Sequence, residues 1–286
     1  MAQILHFGIL GHPLSHSLSP RLHRAAFEFS GLAGDYQLFD VSPDRLTQWM
    51  QDLQKNEING FNVTIPHKQT LFRLVHVHTA QAEQVGALNV VKVTEDGRLE
   101  GHNTDYDGLK FSLEQNHPGS FSGKSALLLG AGGAALAAAA VVKSLAFSHL
   151  RVLARDPAKR QSFMEFVKRR FTTSDPNAQD MPPKVEADQP NLRENAALVI
   201  NATSVGLTDA PPPSWMKELV AQLPQDCICV DLVYRKDRSL PTFAWLANER
   251  GLKSLDGIDM LVQQAKLSFE YWTGISVPFE HMKAAI

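Results

Sequence analysis

Cysteine is nearly missing from this chain: its 286 residues include two, Cys227 and Cys229. That excludes a disulfide-stapled scaffold and a multi-cysteine zinc module. The pair lies in Cys227-Ile228-Cys229-Val230-Asp231, an apolar run that predicts a buried strand. Side chains two apart on a strand point the same way but stand too far apart for an easy bridge. Both are read as reduced core thiols, in keeping with a reducing compartment, with a redox or metal pair as the second reading. An excess of either charge is missing too. The 28 Lys and Arg against 30 Asp and Glu leave a net charge of −2, which argues against a general nucleic-acid or anionic-membrane binder. There is no long apolar run: the longest, Ala126 to Val142, is short for a bilayer span and is interrupted by Gly130, Gly132 and Gly133. Met1-Ala2-Gln3 carries no basic segment, and Ile4 to Leu10 is broken by His6 and Gly8, unlike a secretory leader. A cytoplasmic protein without a membrane span is expected. The 11 histidines form no metal set. His76 and His78 have strand-like spacing in what reads as a helical context, with no carboxylate or Cys partner, so no metal is assigned.

What is present is ample core, at 44% hydrophobic residues, in a length suited to two compact domains. Ile4 to Leu10, Tyr36 to Val41 and Ile58 to Ile65 read as strands. Ser19-Pro20 opens a helix with a capping hydroxyl and a first-turn proline, and Leu22, Ala25, Ala26 and Phe29 recur at helical spacing. Ser42-Pro43-Asp44 starts another, with Leu46, Trp49, Met50 and Leu53 on one face. Ala87 to Val93 and Arg98 to Gly101 predict a hairpin around Asp96-Gly97. A second series begins near Lys124, with strands at Ser125 to Leu129, Leu150 to Ala154, Ala197 to Asn201 and Cys227 to Leu232. Helices are expected at Gly133 to Ala146, Pro157 to Phe171, Pro241 to Arg250 and Ile258 to Thr273. Thr172 to Arg193, rich in Pro, Asp, Asn and Gln, reads as surface loop with one short element. The alternation predicts an α/β protein with mainly parallel sheets. The domain joint is expected just after Asp105, and the final helix could pack back on the first domain. Ligands favour domain clefts and the carboxyl ends of parallel strands.

Three segments carry the chemistry. In Gly60-Phe61-Asn62-Val63-Thr64-Ile65-Pro66-His67-Lys68 a strand is stopped by a proline, and a lysine follows. Alone, Lys68 could be a solvated helix-start residue, but polar Asn62 and Thr64 alternate on one face of the strand before it. The stretch Asn103-Thr104-Asp105 offers an ionic partner in Asp105, although such a series also resembles a helix cap. Gly130-Ala131-Gly132-Gly133-Ala134 sits between a predicted strand and an Ala-rich helix, the context of a dinucleotide loop: one glycine for the tight turn, the next for close approach of a pyrophosphate. Amine, carboxylate and pyrophosphate cradle suggest an enzyme that moves a proton and a hydride. At the next strand tip Arg155, Lys159 and Arg160 favour NADP on charge. Asp156 would favour NAD if it faced the ribose, or would cap the helix after Pro157. Ser17 and Ser19 precede a helix and could bind a substrate carboxylate, or Ser19 could simply cap.

Together these segments resemble the shikimate dehydrogenase family. The resemblance runs over nearly the whole chain, through Gly8 to Pro20, Gly60 to Lys68, Gly86 to Val91, Asn103 to Asp105, Gly130 to Ala134, Asn201 to Gly206, Asp231 to Tyr234 and Gly257 to Ala265. It implies a substrate domain over residues 1–105, completed by C-terminal helices at about 257–286, and a Rossmann-like NADP-binding domain over 106–256. It implies reversible NADPH-dependent reduction of 3-dehydroshikimate to shikimate in aromatic amino-acid biosynthesis, by a monomer or homodimer. Lys68 and Asp105 become the catalytic pair. Ser17 and Ser19 take the substrate carboxylate, and Thr64, Asn89, Tyr234 and Gln264 the ring hydroxyls. Gly130, Ala131, Gly132, Gly133 and Ala134 hold the pyrophosphate, with Arg155 and Lys159 at the ribose. Leu232 and Gly257 lie beside the nicotinamide, with Asn201 to Ser204 nearby. Ala154-Arg155-Asp156 replaces the family's common Asn-Arg-Thr, which leaves NAD open as cofactor, and Leu18 replaces a common lysine. The competing readings are an NAD-preferring quinate/shikimate dehydrogenase and a non-catalytic metabolite-binding relative. A folate-linked Rossmann dehydrogenase leaves the serine pair and the Asn103-Thr104-Asp105 block unexplained.

Overall fold

The computed structural model describes residues 4–117, 119–171, 183–188, 193 and 195–286. The chain divides into two compact units, residues 1–111 with 259–286, and residues 112–258. The first holds β1 (Leu5–Gly11), α1 (Ser19–Ser30), β2 (Gly34–Asp40), α2 (Leu46–Gln51), β3 (Gly60–Val63), α3 (Lys68–Phe72), β4 (Val77–His78), α4 (Ala80–Val85), β5 (Val90–Val93) and β6 (Leu99–His102). Helix α5 (Asp105–Asn116) leads into the second unit, which holds β7 (Ser125–Leu129), α6 (Gly133–Ser144), β8 (His149–Leu153), α7 (Pro157–Phe171), β9 (Lys184–Ala187), β10 (Ala196–Asn201), α8 (Ser214–Ala221), β11 (Ile228–Asp231), α9 (Thr242–Glu249) and β12 (Lys253–Leu255). Helices α10 (Ile258–Thr273) and α11 (Phe279–Lys283) return to the first unit.

The first sheet runs β2-β1-β3-β5-β6-β4. β1 pairs in parallel with β2 and β3, and β4 with β6, while β3–β5 and the β5–β6 hairpin are antiparallel. Loops after β1 and β3 therefore emerge side by side at the carboxyl edge, where the strand order reverses about β1. Helix α10 is fastened across this sheet. Trp272 Nε1 donates to the Val91 carbonyl at 3.0 Å and Tyr271 Oη to Glu100 at 2.7 Å. Gly108 in α5 lets the two helices meet, since a Cβ there would stand 2.8 Å from the Met260 carbonyl.

The second sheet, β12-β11-β10-β7-β8-β9, is parallel throughout. Strands β7 and β11 are buried along their whole length, as expected where helices cover both faces. Its order reverses about β7, so the loop after β7 lies at a switch point of the sheet. Cys227 and Cys229 are free thiols in the core beneath α8 and α9. Asp231, at the tip of β11, fixes the start of α9. Its carboxylate accepts from the amides of Phe243 (3.1 Å), Ala244 (3.3 Å) and Val233 (3.1 Å), and from Asn201 Nδ2 (2.8 Å). Burial pushes its pKa up to about 7, against the pull of all four donors.

Several expectations need correction. Ser19 is the first residue of α1, not its cap; Leu18 holds the cap position and no side chain bonds there. Phe29 faces solvent, and Phe27 takes its place in the core. His78 lies on the short strand β4, which pairs with β6, so the helical context does not hold. Helix α8, directly after Pro211-Pro212-Pro213, was not anticipated. In the expected loop from 172 to 193, β9 is the short element, and residues 172–182 and 189–192 lie outside the described residues.

The Asp231→Ala variant leaves three buried main-chain amides and Asn201 without their acceptor. Such a loss is on the order of 3 kcal/mol, a fall of roughly 5–10 °C in thermal midpoint for a unit of this size. Faster hydrogen exchange at the Phe243 and Ala244 amides checks that the loss is local to α9.

Candidate functional site

Lys68 is the first residue of α3. The helix start is pinned from both sides. His67, buried, donates through Nε2 to the Val41 carbonyl at 2.7 Å, and its amide donates to the Thr64 carbonyl at 2.9 Å. Asp105 is the first residue of α5, whose opening turn is capped by Asn103: Oδ1 accepts from the Tyr106 amide at 3.1 Å, and Nδ2 donates to the Ala87 carbonyl at 2.9 Å. The capping role weighed for Asp105 thus falls to Asn103. Lys68 Nζ donates to Asp105 Oδ2, and the two side chains are 13% and 5% exposed. Residues 37 apart in sequence meet as an ion pair largely shielded from water.

Asn89 holds the other carboxylate oxygen. Its Nδ2 lies 2.9 Å from Asp105 Oδ1, 3.0 Å from Thr104 Oγ1 and 3.1 Å from Gln264 Oε1. Two hydrogens face three acceptors. Asn89 is itself oriented by the Thr104 amide, which donates to Oδ1 at 2.8 Å. Behind it, Asn62 Nδ2 donates to the Asn89 carbonyl (3.2 Å) and Ser268 Oγ (2.9 Å), and Tyr36 Oη donates to Asn62 Oδ1 (2.7 Å). His23 stacks flat on Tyr36, centroids 4.1 Å apart. Burial pushes its pKa down to about 3; Asn62 is close enough to oppose that shift, yet neither ring nitrogen has a partner in hydrogen-bonding geometry.

The remaining candidates of the first unit border the same carboxyl edge. Ser17 Oγ accepts from the Ser19 amide at 3.3 Å in the loop after β1. Thr64 follows β3, and its methyl group packs where Gly11 has no Cβ, at 2.3 Å from the position one would take. The structure therefore joins Lys68, Asp105, Asn89 and Gln264 in one chain of contacts, with Thr64 just past β3, Ser17 in the loop after β1 and Ser19 at the start of α1. Sequence reasoning missed Ser268 and His67 and used Asn62 only as a mark of a polar strand face, whereas all three hold the contacting residues in place. The alternation of Asn62 with Thr64 was the one available signal.

The second unit holds the glycine loop and Tyr234. Gly130 has φ +110°, and a Cβ there would sit 2.9 Å from the Ala202 carbonyl oxygen, so that position requires glycine. Gly132 caps α6, and a Cβ there would meet nothing within 4 Å. The space in front of the helix start is open, and first-turn amides of a helix lack intrahelical acceptors, a fit for a pyrophosphate. Past β8, Asp156 Oδ1 accepts from the amides of Ala158 (2.9 Å) and Lys159 (3.2 Å), so it caps α7, while the side chains of Arg155 and Lys159 are exposed. Gly257 lies against Leu232: a Cβ would stand 2.5 Å from the Leu232 carbonyl oxygen. Asn201 is tied to Asp231, and Thr203 to Asn201 at 2.6 Å. Among the described residues, no helix is long and apolar enough to cross a membrane, and no group of three or more His, Cys, Asp or Glu is placed to hold a metal.

Residues 9–91 match the family model for the shikimate dehydrogenase substrate binding domain, and residues 257–286 that for the shikimate 5'-dehydrogenase C-terminal domain. A shikimate dehydrogenase (NADP(+)) from Caldanaerobacter subterraneus is 34% identical over 273 residues, 94% of this chain and 91% of the relative. The crystal structure of shikimate dehydrogenase from Aquifex aeolicus superposes with a TM-score of 0.83 at 29% identity, covering 100% of this chain and 98% of the other. The shikimate 5-dehydrogenase of Thermus thermophilus, solved with NADP(H) and shikimate, gives 0.80 at 32% identity, with 98% of each chain covered.

Two glycines of one turn, Gly130 and Gly132, should respond differently to one methyl group. Gly130→Ala forces a side chain into positive φ against a backbone oxygen and costs about 2 kcal/mol or more. Gly132→Ala enters open space at a cap position and costs under about 1 kcal/mol. Thermal unfolding of both variants without ligand checks the contrast.

Proposed function

The chain belongs to the shikimate dehydrogenase family, and from that premise we propose that it catalyses the reversible NADPH-dependent reduction of 3-dehydroshikimate to shikimate. The observation that carries the reading is the shielded Lys68–Asp105 pair with Asn89 and Gln264 around it. Reducing a ketone requires a proton at the oxygen as charge develops there. Lys68 Nζ donates that proton and stabilises the forming oxyanion by its charge. In the reverse direction it accepts the proton. Asp105 aims the ammonium and balances its charge, and Asn89 keeps Asp105 from turning away. Bound NADPH supplies the hydride.

The polar side chains around the pair suit a hydroxylated ring. Asn89 offers two hydrogens to three acceptors, so Gln264 and Asp105 have lone pairs to spare for substrate hydroxyls. Thr64 and Tyr234 add hydroxyl partners, and the Ser17–Ser19 hydroxyls take the carboxylate. In this reading residues 1–105 with the C-terminal helices bind substrate, and 106–256 bind the dinucleotide. The amides of Gly130 to Ala134 hold the pyrophosphate, and Leu232 and Gly257 flank the nicotinamide. Arg155 and Lys159 neutralise the ribose phosphate of NADP. Asp156 spends one oxygen on the helix cap, which supports NADP over NAD. A cytoplasmic monomer or homodimer completes the reading.

Turnover of shikimate and quinate, each with NADP and NAD, tests it; the highest kcat/KM is expected for shikimate with NADP, and a preference for quinate with NAD would overturn it. Lys68→Ala should remain folded and bind NADPH, because Asp105 keeps its Asn89 donor, while turnover falls on the order of 10² to 10⁴. Near-normal turnover in that variant removes Lys68 from the chemistry.

A further inference from the structure

The loop between β1 and α1 is held from the tip of β2. Asp40, the last residue of that strand, accepts the Leu14 amide on Oδ2 at 3.1 Å and pairs through Oδ1 with His12 Nδ1 at 2.6 Å. These two bonds, His12 first, hold its carboxyl below the usual range, so it stays ionised as an acceptor. Leu14 is buried, and its carbonyl accepts the Ser17 amide at 3.0 Å. Ser17 Oγ then accepts the Ser19 amide at 3.3 Å. At its start the loop is bound on both sides: Val41 donates to the Gly11 carbonyl at 3.0 Å, and His12 donates to the Ile65 carbonyl at 2.9 Å. A run of four hydrogen bonds connects His12 and Asp40 to the Ser17 hydroxyl and the Ser19 amide.

By charge alone, a carboxylate beside an anion-binding loop is unfavourable. Its use here must lie in geometry, because it offers two acceptors aimed at two points of one short loop. We infer that Asp40 is a positioning residue for the substrate carboxylate: it fixes Leu14, and through Leu14 the Ser17–Ser19 pair. The inference rests on the reading of those serines given above. Loss of Asp40 frees the loop and weakens substrate binding, while Lys68 and Asp105, held by other elements, keep their contact.

Steady-state kinetics of Asp40→Ala, Asp40→Asn, Ser17→Ala and Asp35→Ala test it, with KM read for shikimate and NADP separately. Asp40→Ala is expected to raise KM for shikimate about tenfold, as two lost bonds would, with kcat within about threefold and KM for NADP within about twofold. Asp40→Asn should return KM toward the wild-type value, since its Oδ1 still accepts from Leu14 and its Nδ2 can face His12 Nδ1. Asp35→Ala removes a similar pair at the other end of β2, with His6 at 3.2 Å, and should move neither KM. If Ser17→Ala raises KM for shikimate and Asp40→Ala does not, the inference is overturned while the serine reading stands. If Asp40→Ala raises both KM values and lowers kcat together, its role is general stability and the inference fails. If Ser17→Ala leaves KM unchanged, the serine reading fails first and the inference with it.

Discussion

The buried polar cluster of the first unit is organised around keeping one amine against one carboxylate away from water. Taking Lys68 and Asp105 out of solvent costs several kcal/mol per ion before their attraction is counted, and a buried pair is a poor source of stability for that reason. The arrangement survives because the second carboxylate oxygen is also bonded, by Asn89. Asn89 in turn must be fixed, and that requirement draws in Thr104, Gln264, Asn62 and Ser268. A half-bonded buried network would be worse than an apolar core.

That constraint explains why residues from opposite ends of the chain meet here. Gln264 and Ser268 lie on α10, 160 and more residues from the strands they serve. Their approach requires α10 to lie close to the start of α5, which Gly108 permits by carrying no Cβ. Trp272 then locks the far end of α10 to β5, and the missing Cβ of Gly60 makes room for its ring. The second unit solves a related problem with different groups. There Asp231 at a strand tip binds the start of α9, and Asn201 on the neighbouring strand bonds Asp231. In both units a polar side chain at a strand end sets where a helix begins.

How much of this was legible depended on the range of the interaction. Local chemistry could be read. Strand β7, the glycine turn and α6 follow from an apolar run, a left-handed glycine and a row of alanines close together in the chain. The Asp156 cap and the β5–β6 hairpin were equally local. Lys68 and Asp105 were legible as candidates, because Pro66 and the polar Asn103-Thr104 block mark their positions, although only the fold shows them in contact. The failures lie where tertiary packing overrides spacing. Phe29 fits the i, i+3, i+4, i+7 spacing that starts at Leu22 and Phe27 does not, yet stacking on Phe7 and an edge contact with Phe269 bury Phe27 and leave Phe29 in solvent. His78 pairs with β6 through two residues, too few to leave a pattern. Asn62 and Ser268 are 206 residues apart, and nothing in either neighbourhood announces the other.

The same distinction separates the two glycines of the β7–α6 turn. Gly130 is required by the protein itself, since its positive φ and the Ala202 carbonyl leave no room for a side chain. Gly132 is required by nothing in the protein: its φ of −102° suits any residue, and the space beside it is empty. A glycine at a cap position gives up the side-chain oxygen that Ser, Thr, Asn or Asp would offer the helix amides. Leaving those amides without a side-chain cap makes sense if another acceptor is to occupy them, and a pyrophosphate supplies oxygens of the right charge for a helix start. Seen this way, the dinucleotide reading of the turn draws more from the glycine that the fold does not need than from the one it does.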